Sequence, residues 1–95
     1  MNILPFTRPT IGEEEQAAVR EVLASGWITT GPKAQAFEEA LAGYLGGGVR
    51  VLAFNSGTSA LEASLLAADV GPGDEVIVPA MSFVASANVV LRVGA

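Results

Sequence analysis

Val49-Arg50-Val51-Leu52-Ala53-Phe54-Asn55-Ser56-Gly57-Thr58-Ser59 is the stretch on which the reading of the fold turns. Its first half, VRVLAF, is short, mostly apolar and bounded by turn residues, the pattern of a buried strand. Its second half, NSGTS, opens a helix that runs to about Val70 with Leu61, Leu65 and Leu66 inward, and Ser59 and Glu62 stand at capping-box spacing. Gly71-Pro72-Gly73-Asp74 reads as a loop, and Glu75 to Val78 as a second buried strand stopped by Pro79. Strand, helix, strand predicts a right-handed βαβ unit in a parallel sheet. Ser82 is placed to cap a further helix running through Asn88 to Leu91.

Upstream, Thr10 and Glu13 also have capping-box spacing, ahead of a helix expected from about Gly12 to Ser25. Ala18, Val19, Val22 and Leu23 fall at helical intervals, and Gly26 is a natural stop. Trp27 to Pro32 (WITTGP) reads as an extended segment or loop. Pro32 suits the first turn of the next helix, which carries Phe37, Leu41, Tyr44 and Leu45 on one stripe and ends at Gly46-Gly47-Gly48. The expectation is an α/β chain forming one partial domain over 1–95, with a helical segment at 1–48 and the start of a βαβ region at 49–95. The last residues, Val93-Gly94-Ala95, stand where a further strand is expected, and a two-stranded parallel sheet has bare edges. This points to a part of a larger fold.

Composition supports that expectation. Residues of the set AVILMFWYC make up 51% of the 95, with 11 glycines in addition, whereas ordinary globular chains run at about 45–50% with glycine included. Small domains have proportionally more surface to cover with polar groups, so many apolar side chains here are expected to pack on something else, while an alanine-rich variant of an ordinary domain accounts for part of the excess. The net charge is −5 and there is no basic patch, which argues against nucleic-acid binding. The acidic residues Glu13, Glu14, Glu15 and Glu21 read as a solvated helix face. Absence of cysteine and histidine excludes disulfides, Cys/His metal sites and histidine base chemistry within the chain. Met1 to Arg8 lacks the pattern of a secretory signal, and no apolar run reaches the roughly 18 residues that span a bilayer. The expected location is cytoplasmic.

The residues with chemical potential lie at two places. At the N-terminus of the helix after NSGTS, unpaired N–H groups and a partial positive charge suit a phosphate. Gly57 lets the backbone approach an anion, and the hydroxyls of Ser56, Thr58 and Ser59 add donors. Serine and threonine are also ordinary helix caps, so capping and phosphate binding both stay open on this pattern alone. No Walker A loop, dinucleotide fingerprint or G-x-S-x-G elbow is present. Phe83 follows the second expected strand, at the end of the sheet where α/β folds bind ligands; it can stack on a flat ring, and a core phenylalanine is the plainer reading. At the second place, the Gly26 to Lys33 loop mixes a large aromatic, Thr29, Thr30 and rigid turn residues. Its alternative reading is a helix connection anchored by Trp27. Lys33, the single lysine, reads as an exposed charge at a helix start.

Taken together, the segments resemble the DegT/StrS-type family of sugar aminotransferases. The resemblance rests on Pro5-Phe6-Thr7-Arg8-Pro9, Ser25 to Lys33 (SGWITTGPK), Phe37-Glu38, Asn55 to Leu61 (NSGTSAL), Gly71 to Pro79 (GPGDEVIVP) and Ser82 to Asn88 (SFVASAN), in the family's order and spacing. Each motif is weak alone; the ordered set, spanning about Pro5 to Ala95, is specific. SGWITTGPK is most similar to enzymes that aminate nucleotide-linked 4-keto sugars. The resemblance implies the N-terminal part of a fold type I (aspartate aminotransferase-like) large domain, a mainly parallel sheet flanked by helices, in a homodimer that uses pyridoxal 5'-phosphate (PLP). Gly57, Thr58 and Ser59 match the positions that hold the PLP phosphate, Phe83 matches the aromatic stacked on the pyridine ring, and the loop with Trp27, Thr29 and Thr30 matches a segment lining the substrate region. Glutamate is the usual amino donor.

The Schiff-base lysine and the acid that pairs with the pyridine nitrogen have no counterpart in residues 1–95, and Lys33 sits in the wrong motif to replace the former. The 95 residues alone are therefore expected to be inactive. Three other readings stand beside this one: a sugar 3-dehydratase of the same family, which differs at a residue outside this chain; a non-catalytic module or fragment; and a phosphate-binding α/β domain unrelated to PLP, against which the ordered motifs argue.

Overall fold

The computed structural model describes residues 4, 5 and 7–95, so Phe6 of the PFTRP motif lies outside the described residues. The chain divides into two units, 1–51 and 52–95.

The first unit holds helices α1 (Glu13–Ser25) and α2 (Pro32–Tyr44). Helix α1 begins where the sequence predicts, but with a different cap. Gly12 is the N-cap, and its N–H donates to Glu15 Oε2 at 2.6 Å. The Thr10–Glu13 pairing is not formed, because the chain enters the helix two residues later and puts Glu15, not Glu13, at the third helical position. Gly26 ends α1 in the left-handed region, with φ 72°, which a Cβ disfavours. Helix α2 starts on Pro32, whose missing N–H is no loss in a first turn. It closes with the Gly47 N–H donating back to Ala42 O at 2.9 Å, the six-to-one bond that satisfies a terminal carbonyl. The Phe37, Leu41, Tyr44, Leu45 stripe is formed but largely uncovered: only Leu41 is half-buried.

The second unit holds α3 (Gly57–Ala67) and α4 (Ala85–Val93), packed against each other. Ala85 and Val89 of α4 are the only buried side chains among the described residues, Val89 at 2% exposure. Arg92 Nε meets Glu62 Oε2 at 2.9 Å across the two helices. Glu62 thus serves as a partner for α4 and not as the second half of a capping box with Ser59. The N-cap is Ser56, whose Oγ accepts from the Ser59 N–H at 3.1 Å. Asp69 terminates α3 at φ 59°, with the Val70 N–H bonded to Leu65 O at 3.0 Å. Of the leucines expected inward, Leu65 is half-buried while Leu61 and Leu66 are exposed. Ser82 does not cap α4: Val84 occupies that position, and the Ser82 hydroxyl is paired with the Ser86 hydroxyl at 2.9 Å. The expected loop is formed, closed by Asp74 Oδ2 accepting from the Gly71 N–H at 2.9 Å.

The two expected strands, 49–54 and 75–78, are not formed, and the described residues contain no strand. A strand is a state of a pair, defined by ladder hydrogen bonds to a neighbour, and these stretches do not pair with each other. The 75–78 segment nevertheless alternates as a strand does: Val76 and Val78 are half-buried and Ile77 is 100% exposed. Val76 and Val78 line a furrow of about 310 Å³ with Leu61, Leu65, Val89 and Val90. One face of the segment is covered by α3 and α4, and the other is bare.

Bareness is general. The accessible surface is 8348 Å², whereas two separate compact halves of a 9.7 kDa chain would expose about 6,200 Å² together. Ile28, Phe37, Leu52, Phe54, Ile77 and Phe83 are among the exposed large apolar residues. The apolar excess read from composition is thus surface that these 95 residues do not cover themselves.

Candidate functional site

The sequence-predicted residues fall at two separate places, one in each unit, each described on its own.

In the second unit, Ser56 has extended dihedrals (φ −157°, ψ 153°) and the helix starts at Gly57. This sharp entry needs a cap, and three polar side chains supply it as a small network. Ser56 Oγ accepts from the Ser59 N–H, lies 2.9 Å from Ser59 Oγ, and the Ser59 hydroxyl donates to Asn55 Oδ1 at 3.1 Å. Ser59 is therefore committed: its N–H and its hydroxyl hydrogen both have partners within the loop. The Gly57 and Thr58 N–H groups, the first two of the helix, have no hydrogen-bond acceptor among the described residues, as first-turn donors do not unless something caps them. Gly57 has helical dihedrals and a Cβ built on it would meet nothing within 4 Å. Neither backbone conformation nor packing within the chain calls for glycine there, and glycine at a helix start lowers helix propensity. Open space above two free N–H groups, at the positive end of an 11-residue helix, can take an anion.

Phe83 belongs to the same unit and is 78% exposed. Its carbonyl accepts from the Ser86 N–H at 3.1 Å in the turn before α4, so its backbone is tied while its ring stays open. The core-phenylalanine reading does not hold for this chain.

In the first unit, the loop between α1 and α2 is held at three points. The Trp27 N–H donates to Ser25 Oγ at 3.1 Å, while the Ser25 hydroxyl donates to Val22 O. The indole N–H of Trp27 donates to Thr30 O at 3.0 Å. Lys33 Nζ meets Glu21 Oε2 at 2.9 Å, so the lysine is a strap between the helices more than a lone surface charge. A cleft of about 330 Å³ opens beside the loop, lined by Glu21, Ser25, Trp27, Ile28, Thr29 and Lys33 together with Gly31 and Pro32. Trp27 and Thr29 face it; Thr30 contributes its carbonyl to the indole and does not line the cleft. Sequence reasoning missed Glu21 and Ser25 as cleft residues: both lie on α1, Glu21 outside the SGWITTGPK motif and Ser25 at its first position. Spacing carried one usable signal: Glu21 and Ser25 are four apart and share a helix face.

Among the described residues, no group of three or more His, Cys, Asp or Glu is placed to hold a metal, and no helix is long and apolar enough to cross a membrane.

The sequence profile of the DegT/DnrJ/EryC1/StrS aminotransferase family matches residues 9–95. The chain belongs to this family. Among solved structures it is similar to a protein of Streptococcus pneumoniae described as a sugar aminotransferase, in its PMP, apo and PLP forms: TM-score 0.83 and 49% sequence identity in each case, over 97% of this chain and 23% of that one. The chain thus spans about a quarter of the length of the solved structures it matches.

Proposed function

We propose that these residues are the N-terminal part of a PLP-dependent aminotransferase that transfers an amino group, from glutamate, to a nucleotide-linked keto sugar. The observation that carries the reading is the entry into α3: two first-turn N–H groups without acceptors among the described residues, at Gly57 and Thr58, beneath a position where glycine leaves open space. Family membership and the PLP and PMP forms of the similar Streptococcus pneumoniae protein support the cofactor.

In this reading the Gly57 and Thr58 N–H groups and the Thr58 hydroxyl bind the PLP phosphate. Ser59 orders the loop through Asn55 and Ser56, and its hydroxyl oxygen remains an acceptor. Phe83 offers its open face to the pyridine ring. When bound, the cofactor supplies the electron sink that lets an amino group pass from donor to acceptor. The chain's own part is to hold and orient it, through donors already in place that need no reorganisation. The cleft beside Trp27 and Thr29 takes the sugar, with Thr30 fixing the indole. The Schiff-base lysine lies outside residues 1–95, so this stretch alone transfers nothing. The uncovered faces, at Ile77 above all, pack in the complete enzyme on the rest of a mainly parallel fold type I sheet and on a second subunit of a homodimer.

Thr58→Ala in the full-length enzyme tests the phosphate assignment. Loss of one hydrogen bond to a charged group, about 1.5–3 kcal/mol, weakens PLP retention at least tenfold, read by titrating the apoenzyme and following the cofactor's visible absorbance. Unchanged affinity would remove Thr58 from the site.

A further inference from the structure

Gly31 stands in the middle of the loop that borders the cleft of the first unit, and nothing in its backbone requires glycine. Its φ is −173° and its ψ −151°, extended values open to any residue. What requires it is Trp27. A Cβ on Gly31 would overlap the indole at Nε1, Cδ1 and Cε2, all closer than real contacts permit. The ring therefore lies on the bare backbone of Gly31 while its N–H donates to Thr30 O at 3.0 Å. Seat and hydrogen bond fix the same ring from two sides. The loop ends are tied in turn, by Ser25 to the Trp27 N–H and by Glu21 to Lys33.

We infer that Gly31 is a positioning residue for the acceptor cleft: it is the seat on which the Trp27 indole rests, and the seat sets where Trp27 and Thr29 stand along the cleft wall. The inference rests on the reading that this cleft takes the sugar. Any side chain at position 31 lifts the indole, breaks its bond to Thr30 O and moves one wall of the cleft. The change is made at the wall of the cleft itself, so the effect falls on acceptor binding. An interaction made equally in ground and transition states changes KM and leaves kcat alone.

The test is a double-mutant cycle in the full-length enzyme with Gly31→Ala, Trp27→Ala and both. G31A raises KM for the keto-sugar acceptor about tenfold, with kcat and PLP retention within about twofold. In the W27A background, where no indole needs the seat, adding G31A changes KM by less than about twofold. A second readout needs no turnover: G31A shifts the emission of Trp27, taken as the difference between enzymes with and without W27A. An unchanged KM in G31A, an equal rise in both backgrounds, or unaltered Trp27 emission overturns the inference. Failure of the functional reading shows elsewhere, as absence of keto-sugar amination by the unsubstituted enzyme, and leaves the emission result to judge the seat.

Discussion

Ser56→Asp separates the two meanings of the α3 N-terminus, because it acts on them with opposite sign. Aspartate caps a helix as well as serine does, and a carboxylate is favoured by the helix dipole by about 0.3–1 kcal/mol. If the loop only caps, the substitution is neutral or mildly stabilising: a carboxylate oxygen replaces Ser56 Oγ as acceptor for the Ser59 N–H, now at 3.1 Å. If the first turn holds a phosphate, the new charge stands within it. One turn has a pitch of about 5.4 Å, and two like charges that far apart at an effective dielectric of 20 repel by roughly 3 kcal/mol. At about 1.4 kcal/mol per decade this is roughly a hundredfold loss of cofactor affinity. The assay pairs two measurements on the full-length apoenzyme: thermal unfolding without cofactor, and titration with PLP followed by absorbance. The expected result is an apoenzyme of unchanged or raised stability that binds PLP about a hundred times more weakly. Ser56→Ala is the control, losing about 1 kcal/mol of cap stability without adding charge. Affinity in S56D within twofold of the unsubstituted enzyme, with stability maintained, would refute the phosphate assignment.

Two further outcomes concern the helices themselves. The Gly12 N–H holds the Glu15 carboxylate charged, which lowers its pKa below the usual glutamate value; because the folded pKa is the depressed one, its stabilising effect is present above the ordinary glutamate range and is lost as pH falls through the folded value. An NMR pH titration should place the Glu15 midpoint below the ordinary glutamate value, with Gly12 amide protection falling in step, and E15Q should abolish that pH dependence; a Glu15 midpoint at or above the ordinary value would contradict it. Gly94 ends α4 at φ 87° with its Cβ direction 3.2 Å from Pro72 Cγ, so Gly94→Ala should destabilise by about 1–2 kcal/mol in denaturant unfolding of the full-length protein, and a change under 0.5 kcal/mol would mean that the α4 terminus rearranges freely.

Most of the helix positions were legible in the sequence. Pro32 at the start of α2, Gly26 after α1 and the loop at Gly71 to Asp74 stand where their residue types predict. The NSGTS stretch reads as a helix entry, with capping and anion binding both open on its pattern alone. The structure adds that Ser56, Ser59 and Asn55 are engaged in capping, while the Gly57 and Thr58 N–H groups have no acceptor among the described residues. The cap residues themselves differ from expectation three times, at Thr10 and Ser59, which spacing suggests, and at Ser82, which residue type suggests, because a capping residue is chosen by the dihedrals at which the chain enters the helix. A difference of two or three residues in that entry changes which side chain can reach a first-turn N–H.

By itself the sequence determined the elements that depend on near neighbours. Helices and turns close hydrogen bonds within about five residues, so proline, glycine and apolar spacing suffice to place them. It also determined the family, through motifs whose order survives whatever the chain packs against. Only the tertiary structure decided that 49–54 and 75–78 are not strands within this chain, that Phe83 is open, that Trp27 rests on Gly31, and that Glu62 serves Arg92. Apart from the Trp27 seat, which lies four residues from Gly31 and is set by how the loop turns, each of these depends on a group distant in sequence or lacking in these residues, and a strand most of all, since its ladder bonds exist only with a neighbouring strand beside it.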